Sequence, residues 1–140
     1  CSLNFVRYAL NEFVPENNIW ILRVKYITMY YAYKSLERLT DYLPISSIKL
    51  VTSCLNNNNK LLDGEFRSCM MHYSLINKGK YIISDNYIDF NVPFFGLIES
   101  RFDGMLFDSF CKAVDKKIIE LSDTLSEVIR PDFSKCKPLY

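Results

Sequence analysis

LFDSFCKAVDKKIIELSDTLSEVI, residues 106–129, decides the fold class. Phe107, Phe110, Val114, Ile118, Leu121, Leu125 and Val128 recur at steps of three and four residues. That spacing places them on one side of a helix with 3.6 residues per turn. The stretch therefore predicts a long amphipathic helix from about Leu106 to Ile129, with Phe107, Val114 and Leu121 facing a core. Asp115, Lys116, Lys117 and Glu120 fall on its polar face. Pro131 stops it, and the tail to Tyr140 is expected to pack loosely.

The same period appears upstream. Leu22, Tyr26, Met29, Tyr33, Leu36, Leu39 and Leu43 predict a second long helix over about Glu16 to Leu43. Pro15 suits its first turn and Pro44 ends it. Shorter helices are expected over residues 1–13, from Ser46 or Ser47 as cap to Leu55, and from Lys60, capped by Asn59, to about Leu75. Asn56 to Asn59 form a loop. Residues 77–104 hold Gly79, Pro93, Gly96 and Gly104 and read as a loop-rich insert, with a short helix over Phe94 to Phe102. Tyr81-Ile82-Ile83 is the one short strand candidate, and it has no obvious partner. The expected architecture is all-α: a compact bundle of four to five helices in one domain, with its core in residues 16–130.

Composition agrees with a single globular domain. The chain has 140 residues, 49% hydrophobic and 24% charged. A chain of this length buries roughly two thirds of its unfolded surface, so it needs no disulfide or metal to fold. Seventeen Lys and Arg against sixteen Asp and Glu leave a net charge of +1. That excludes a broad basic surface for duplex binding and leaves room for a local one. No run of 18 apolar residues spans a membrane. The start, Cys1-Ser2-Leu3-Asn4, does not read as a signal peptide. The first Met is Met29, which suits a processed, tagged or longer parent chain. The five cysteines, Cys1, Cys54, Cys69, Cys111 and Cys136, form no C-x-x-C pair. They read as reduced thiols in a cytoplasmic protein, and no metal site or other cofactor is expected.

His72 is the only histidine. It lies in Gly64-Glu65-Phe66-Arg67-Ser68-Cys69-Met70-Met71-His72-Tyr73, five residues after Arg67. A guanidinium presents a fork of donors matched to phosphate oxygens. An imidazole exchanges protons near neutrality. Together they can cleave RNA without a metal: His72 deprotonates the ribose 2′-OH and Arg67 stabilises the charge growing on phosphorus. The 2′-OH restricts this chemistry to RNA. Five residues span about 140° around a straight helix, so the two side chains share no face of one. Either the helix bends or ends between them, or they meet across a symmetric dimer. The plain alternative is structural, with Asp63 pairing with Arg67 at i,i+4. Lys78 and Lys80 are candidates for phosphate contacts, against a solvated loop. Tyr26, Tyr30 and Tyr33, with Tyr31 beside them, form an aromatic stripe that reads first as core. Glu65 lies close enough to orient Arg67 or His72.

The segment Arg67-Ser68-Cys69-Met70-Met71-His72, followed by Tyr73, resembles the signature of the HEPN (higher eukaryotes and prokaryotes nucleotide-binding) domains. These are compact helical bundles with Arg, four to six residues, then His near a helix end. The resemblance implies a metal-independent endoribonuclease acting on single-stranded RNA. It implies a homodimer formed through the motif helix, and a role as a toxin or in antiviral defence. An antitoxin or regulatory protein would be the partner. Arg67 and His72 would be catalytic, with Ser68 and Tyr73 in support. Ser68 stands where the family often has Asn, Asp or His. The toxin branch carries a Tyr two residues after the His, and that position here is Ser74. Some members are inert, which leaves a module binding RNA, a nucleotide or a protein as the alternative.

Overall fold

In the computed structural model, residues 2–14, 18–57 and 59–129 are described. The readings of Cys1, Pro15, Glu16, Pro131, the tail and Cys136 lie outside them. The fold is all-α. Helix α1 (Ser2–Asn4) continues through one π-helical turn (Phe5–Ala9) into α2 (Leu10–Phe13). Helix α3 (Ile19–Leu39) starts at Asn18, whose side chain accepts from the Trp20 N–H at 2.8 Å. A 3₁₀ turn, Thr40–Tyr42, closes it before Pro44. Helix α4 (Ile45–Asn56) follows Pro44 directly. Neither Ser46 nor Ser47 caps it. Pro44, at φ −63°, already turns the chain into the helix, and both serines lie inside.

Helix α5 (Gly64–His72) is shorter than its pattern suggested. Residues Asn59–Leu61 wind as a 3₁₀ turn, so Asn59 caps nothing. The cap is Asp63, whose carboxylate accepts from Glu65 N–H at 2.8 Å and Phe66 N–H at 2.9 Å. A small antiparallel hairpin follows, β1 (Ile76–Asn77) with β2 (Lys80–Tyr81). Tyr81 therefore has a partner after all, Ile76. Lys78 and Gly79 turn the hairpin at φ 50° and 76°, the doubly left-handed geometry that matches strand twist. Phe94, Phe95 and Gly96 are left-handed in succession before α6 (Leu97–Arg101). At Gly96 a Cβ would stand 1.8 Å from the Tyr87 carbonyl oxygen, so no other residue fits. Helix α7 (Phe107–Val128) completes the chain. With α1 and α2 taken as one run, six helices are present among the described residues. That exceeds the expected four to five because both short segments wind as helix.

Helix α3 lies at the centre, packed against α7, α4 and α5. Leu22, Tyr26, Met29 and Leu36 of α3 meet Phe110, Val114, Ile118 and Leu121 of α7 in one contiguous core. Val114 and Leu121 are fully buried, and Phe107 is half-buried against Phe94. Tyr26, Phe66, Phe102 and Phe110 stack edge and face with centroids 4.6 to 5.8 Å apart. Tyr26 and Tyr33 are core residues. Their hydroxyls donate to the Leu61 and Leu55 carbonyls, and burial pushes both phenols above their ordinary pKa. Cys54, Cys69 and Cys111 are buried free thiols.

One reading of the last helix is overturned. Lys117 belongs to the core, 1% exposed. Its ammonium donates to the Cys54 and Asn57 carbonyls, both at 2.5 Å, and pairs with Glu120 at 3.1 Å. These carbonyls sit at the C-terminal end of α4, where helix geometry leaves acceptors without partners. Lys25 of α3 is also buried and pairs with Asp115 at 2.7 Å. The polar string Asp115-Lys116-Lys117 thus ties α7 to both neighbours.

Candidate functional site

Helix α5 runs antiparallel along α3. Tyr73 at its end lies against Trp20 at the start of α3, with ring centroids 5.6 Å apart. Arg67, one turn into α5, lies against Tyr30 and Tyr31 farther along α3. Phe66, Cys69 and Met70 point into the core. The opposite face carries Arg67, Ser68, Met71 and His72, with Arg67 and Ser68 half-buried and His72 exposed. The helix is unbroken from Gly64 to His72. Arg67 and His72 therefore flank the outward face about 140° apart.

Asp63 does not pair with Arg67. As N-cap it has φ −114° and ψ 116°, outside helical geometry, so the i,i+4 relation does not apply. Its second carboxylate oxygen binds Arg101 of α6, at 2.5 Å from Nη2 and 2.8 Å from Nε. Glu65 also turns to Arg101, at 3.0 Å, and touches neither Arg67 nor His72. Burial opposes the Arg101 charge, yet these carboxylates outweigh it and hold its pKa above the ordinary value. Arg67 is left without a carboxylate among the described residues. Its guanidinium lies 5.5 and 5.8 Å from the Tyr30 and Tyr31 ring centroids, and its Nε is buried with no acceptor.

A shallow basin of about 600 Å³ opens along this edge. Lys60, Arg67, Ser68, Lys78 and Arg101 line it, with Asp63 and Glu65. It brings together three of the expected residues, Arg67, Ser68 and Lys78. It does not include His72, Tyr73 or Lys80. Lys80 is exposed on β2 opposite Asn77. Tyr73 ends α5 in the left-handed region, at φ 54°.

Sequence reasoning missed Lys60 and Arg101 in the basin, and Trp20 and Arg23 beside Tyr73. Arg101 carries no local signal, because its partner lies 38 residues away. Trp20 is the only tryptophan, which could have marked it. A separate cavity of about 420 Å³ between α3 and α7, lined by Ile21, Lys25, Cys111 and Ile119 among others, contains none of the candidate residues. Among the described residues no three His, Cys, Asp or Glu side chains group to hold a metal ion, and no helix is long and apolar enough to cross a membrane. No protein-family model, curated protein or solved structure matches the chain.

Proposed function

We propose that this chain is a metal-independent endoribonuclease of HEPN type that cleaves single-stranded RNA as a homodimer. One observation carries the reading. Asp63 and Glu65, the carboxylates nearest Arg67 in sequence, are both committed to Arg101, which leaves Arg67 uncompensated on a helix face that ends in an exposed His72. A structural ion pair would have consumed that charge. An anion-binding site requires it free.

The unbroken helix supports the dimer. One copy cannot turn both side chains onto one phosphate, and a second copy, related by a twofold axis across α5, would supply the missing group. In this reading His72 of one copy takes the 2′-OH proton, and the 2′-oxygen bonds to phosphorus as the bond to the 5′-oxygen breaks. The leaving 5′-oxygen takes a proton from water, and Arg67 of the other copy holds the phosphate as negative charge grows. Ser68 lies beside Arg67 as a further donor to phosphate. The setting is a cytoplasmic toxin or antiviral defence protein, held in check by an antitoxin or regulatory partner.

The test is cleavage of single-stranded RNA in EDTA. His72→Ala and Arg67→Ala should each lower the rate by about 10²-fold or more. Mixing the two inactive variants should restore about a quarter of wild-type activity, because half the mixed dimers' sites regain both groups. Cleavage that survives both substitutions, or that needs a divalent ion, would sink the assignment.

A second reading has its own observation. The basin collects Lys60, Arg67 and Lys78, beside an Arg101 already held by Asp63 and Glu65, and leaves out His72, which favours an inert module that grips phosphates. It predicts RNA binding that His72→Ala leaves unchanged and no cleavage by the wild type.

A further inference from the structure

At the far end of α5, Arg23 is enclosed by aromatic rings. Its guanidinium carbon lies 3.8 Å from the Tyr73 ring centroid, 5.3 Å from that of Trp20 and 5.5 Å from that of Phe94. Like Arg67, it meets no carboxylate among the described residues, and its Nη1 is buried without an acceptor. Above it, Tyr73 and Trp20 remain 65% and 56% exposed. Folding has not used these rings as core.

The backbone is also costly here. Tyr73 occupies the left-handed position that ends a helix, where glycine is the unstrained choice and a bulky side chain is disfavoured. This geometry sets the ring over Arg23, 3.8 Å from its guanidinium carbon, and beside Trp20 at a 45° tilt. The strained residue is the immediate neighbour of His72.

We propose that Trp20 and Tyr73, with Arg23 beneath them, form a platform for one unpaired nucleobase of a single-stranded RNA. The proposal rests on the ribonuclease reading and deepens it by naming what holds the strand next to His72. Exposed aromatic faces stack on any base, and a neighbouring guanidinium supplies positive charge to the adjoining phosphate. The arrangement is sequence-tolerant, because every base has a π-face. It excludes duplex RNA, whose bases are already stacked on one another. Arg23 at the C-terminal end of α5 and Arg67 farther back along the helix give the strand two cationic anchors, and His72 precedes the platform's Tyr73 directly in the chain.

Trp20 makes the test direct, since its fluorescence is the only tryptophan signal in the chain. The intact protein is titrated with a short single-stranded oligonucleotide carrying 2′-O-methyl riboses, which binds without being cleaved. The expected result is saturable quenching that a fully paired duplex of the same sequence does not produce. Tyr73→Ala should weaken the midpoint by about tenfold, Arg23→Gln should weaken it and reduce its salt dependence, and Tyr73→Phe should keep it. His72→Ala should leave the quench intact, which separates binding from chemistry. Quenching by a protein that cleaves no RNA would uphold the platform and overturn the ribonuclease reading. An unchanged emission would overturn the platform. So would an emission that shifts on dilution of the protein alone, since that would assign the rings to contact with another copy.

Discussion

Lys117 and Arg67 are both cations drawn out of water by the fold, and the chain treats them in opposite ways. Lys117 sits inside the joint between α4 and α7, where two carbonyls and one carboxylate take all three of its N–H donors. Its charge also offsets the negative end of the α4 dipole. Arg67 sits on the outer edge of α5, where two tyrosine rings support it and Nε has no acceptor. The first cation is finished by its own chain and has nothing left to offer a ligand. The second is held in place without being neutralised. An ion pair alone does not separate structure from site in this protein. What separates them is whether the donors are already spent.

The sharpest way to break the contrast is to remove both cations. Lys117→Ala leaves two carbonyls and Glu120 without their partner in the α4–α7 joint. It should cost about 3–5 kcal/mol in urea unfolding. Arg67→Ala loses only packing on Tyr30 and Tyr31 and should cost about 1 kcal/mol or less. Equal costs would mean that Arg67 is structural too. Lys117→Met keeps most of the packing volume and should fall between them, showing how much of the loss is polar.

Next in size is the apolar face of α7. Leu121 is fully buried on α7, and Leu121→Ala should cost about 2–5 kcal/mol by the same measurement. A loss near zero would put the register of α7 in error.

That register was legible because hydrophobic spacing is a local signal. Phe110, Val114, Ile118 and Leu121 declare one face with no help from the rest of the chain. Lys117 was misread although its place was visible. It lies three residues after Val114 and four before Leu121, which puts it on the apolar face, whereas Lys116 falls on the opposite side. What stayed hidden was the end of α4 that receives its charge. Asp63 failed for a related reason. The i,i+4 rule assumed it lay within the helix, whereas it stands just outside as the cap, and Arg101 reached it from 38 residues away. The hairpin escaped because its strands are two residues each, too short to show a period. For the candidate site, the Arg67–His72 spacing was visible in the sequence. The basin, and the rings around Arg23, exist only once α3 and α6 are packed beside α5.

A smaller effect separates the two regions by pH. Burial pushes the Cys111 thiol on α7 up to about 11, Asp115 and Asp108 add to the rise, and Lys25 opposes it. The unfolded thiol titrates near 9.0. Below pH 9 the thiol is neutral in both states and this contribution is fully present. Between pH 9 and 11 the unfolded chain gives up its proton and the folded chain does not, so stability falls as pH rises. Melting temperatures of wild type and Cys111→Ala across pH 8 to 11 should converge as the pH rises. Parallel curves would show that the thiol does not titrate differently in the two states.

The smallest expected effect on stability falls at the edge of the basin. Arg101 is gripped by Asp63, which is largely covered, and by Glu65, which is half exposed. An exposed pair contributes little, so Glu65→Gln should change unfolding by about 0.5 kcal/mol or less. The same change removes a negative charge from a surface shared with Lys60, Arg67 and Lys78. RNA binding should therefore tighten by about twofold at low ionic strength, and the gain should vanish in about 1 M salt, where screening acts over roughly 3 Å. A substitution that leaves the fold untouched while improving the grip on phosphate marks the basin as a surface for an outside partner. Its counterpart in the closed joint, Glu120→Gln, lies against a lysine that is already satisfied and should leave RNA binding as it was. If Glu65→Gln lowered stability instead, its pair with Arg101 would belong with Lys117 among the contacts that hold the fold.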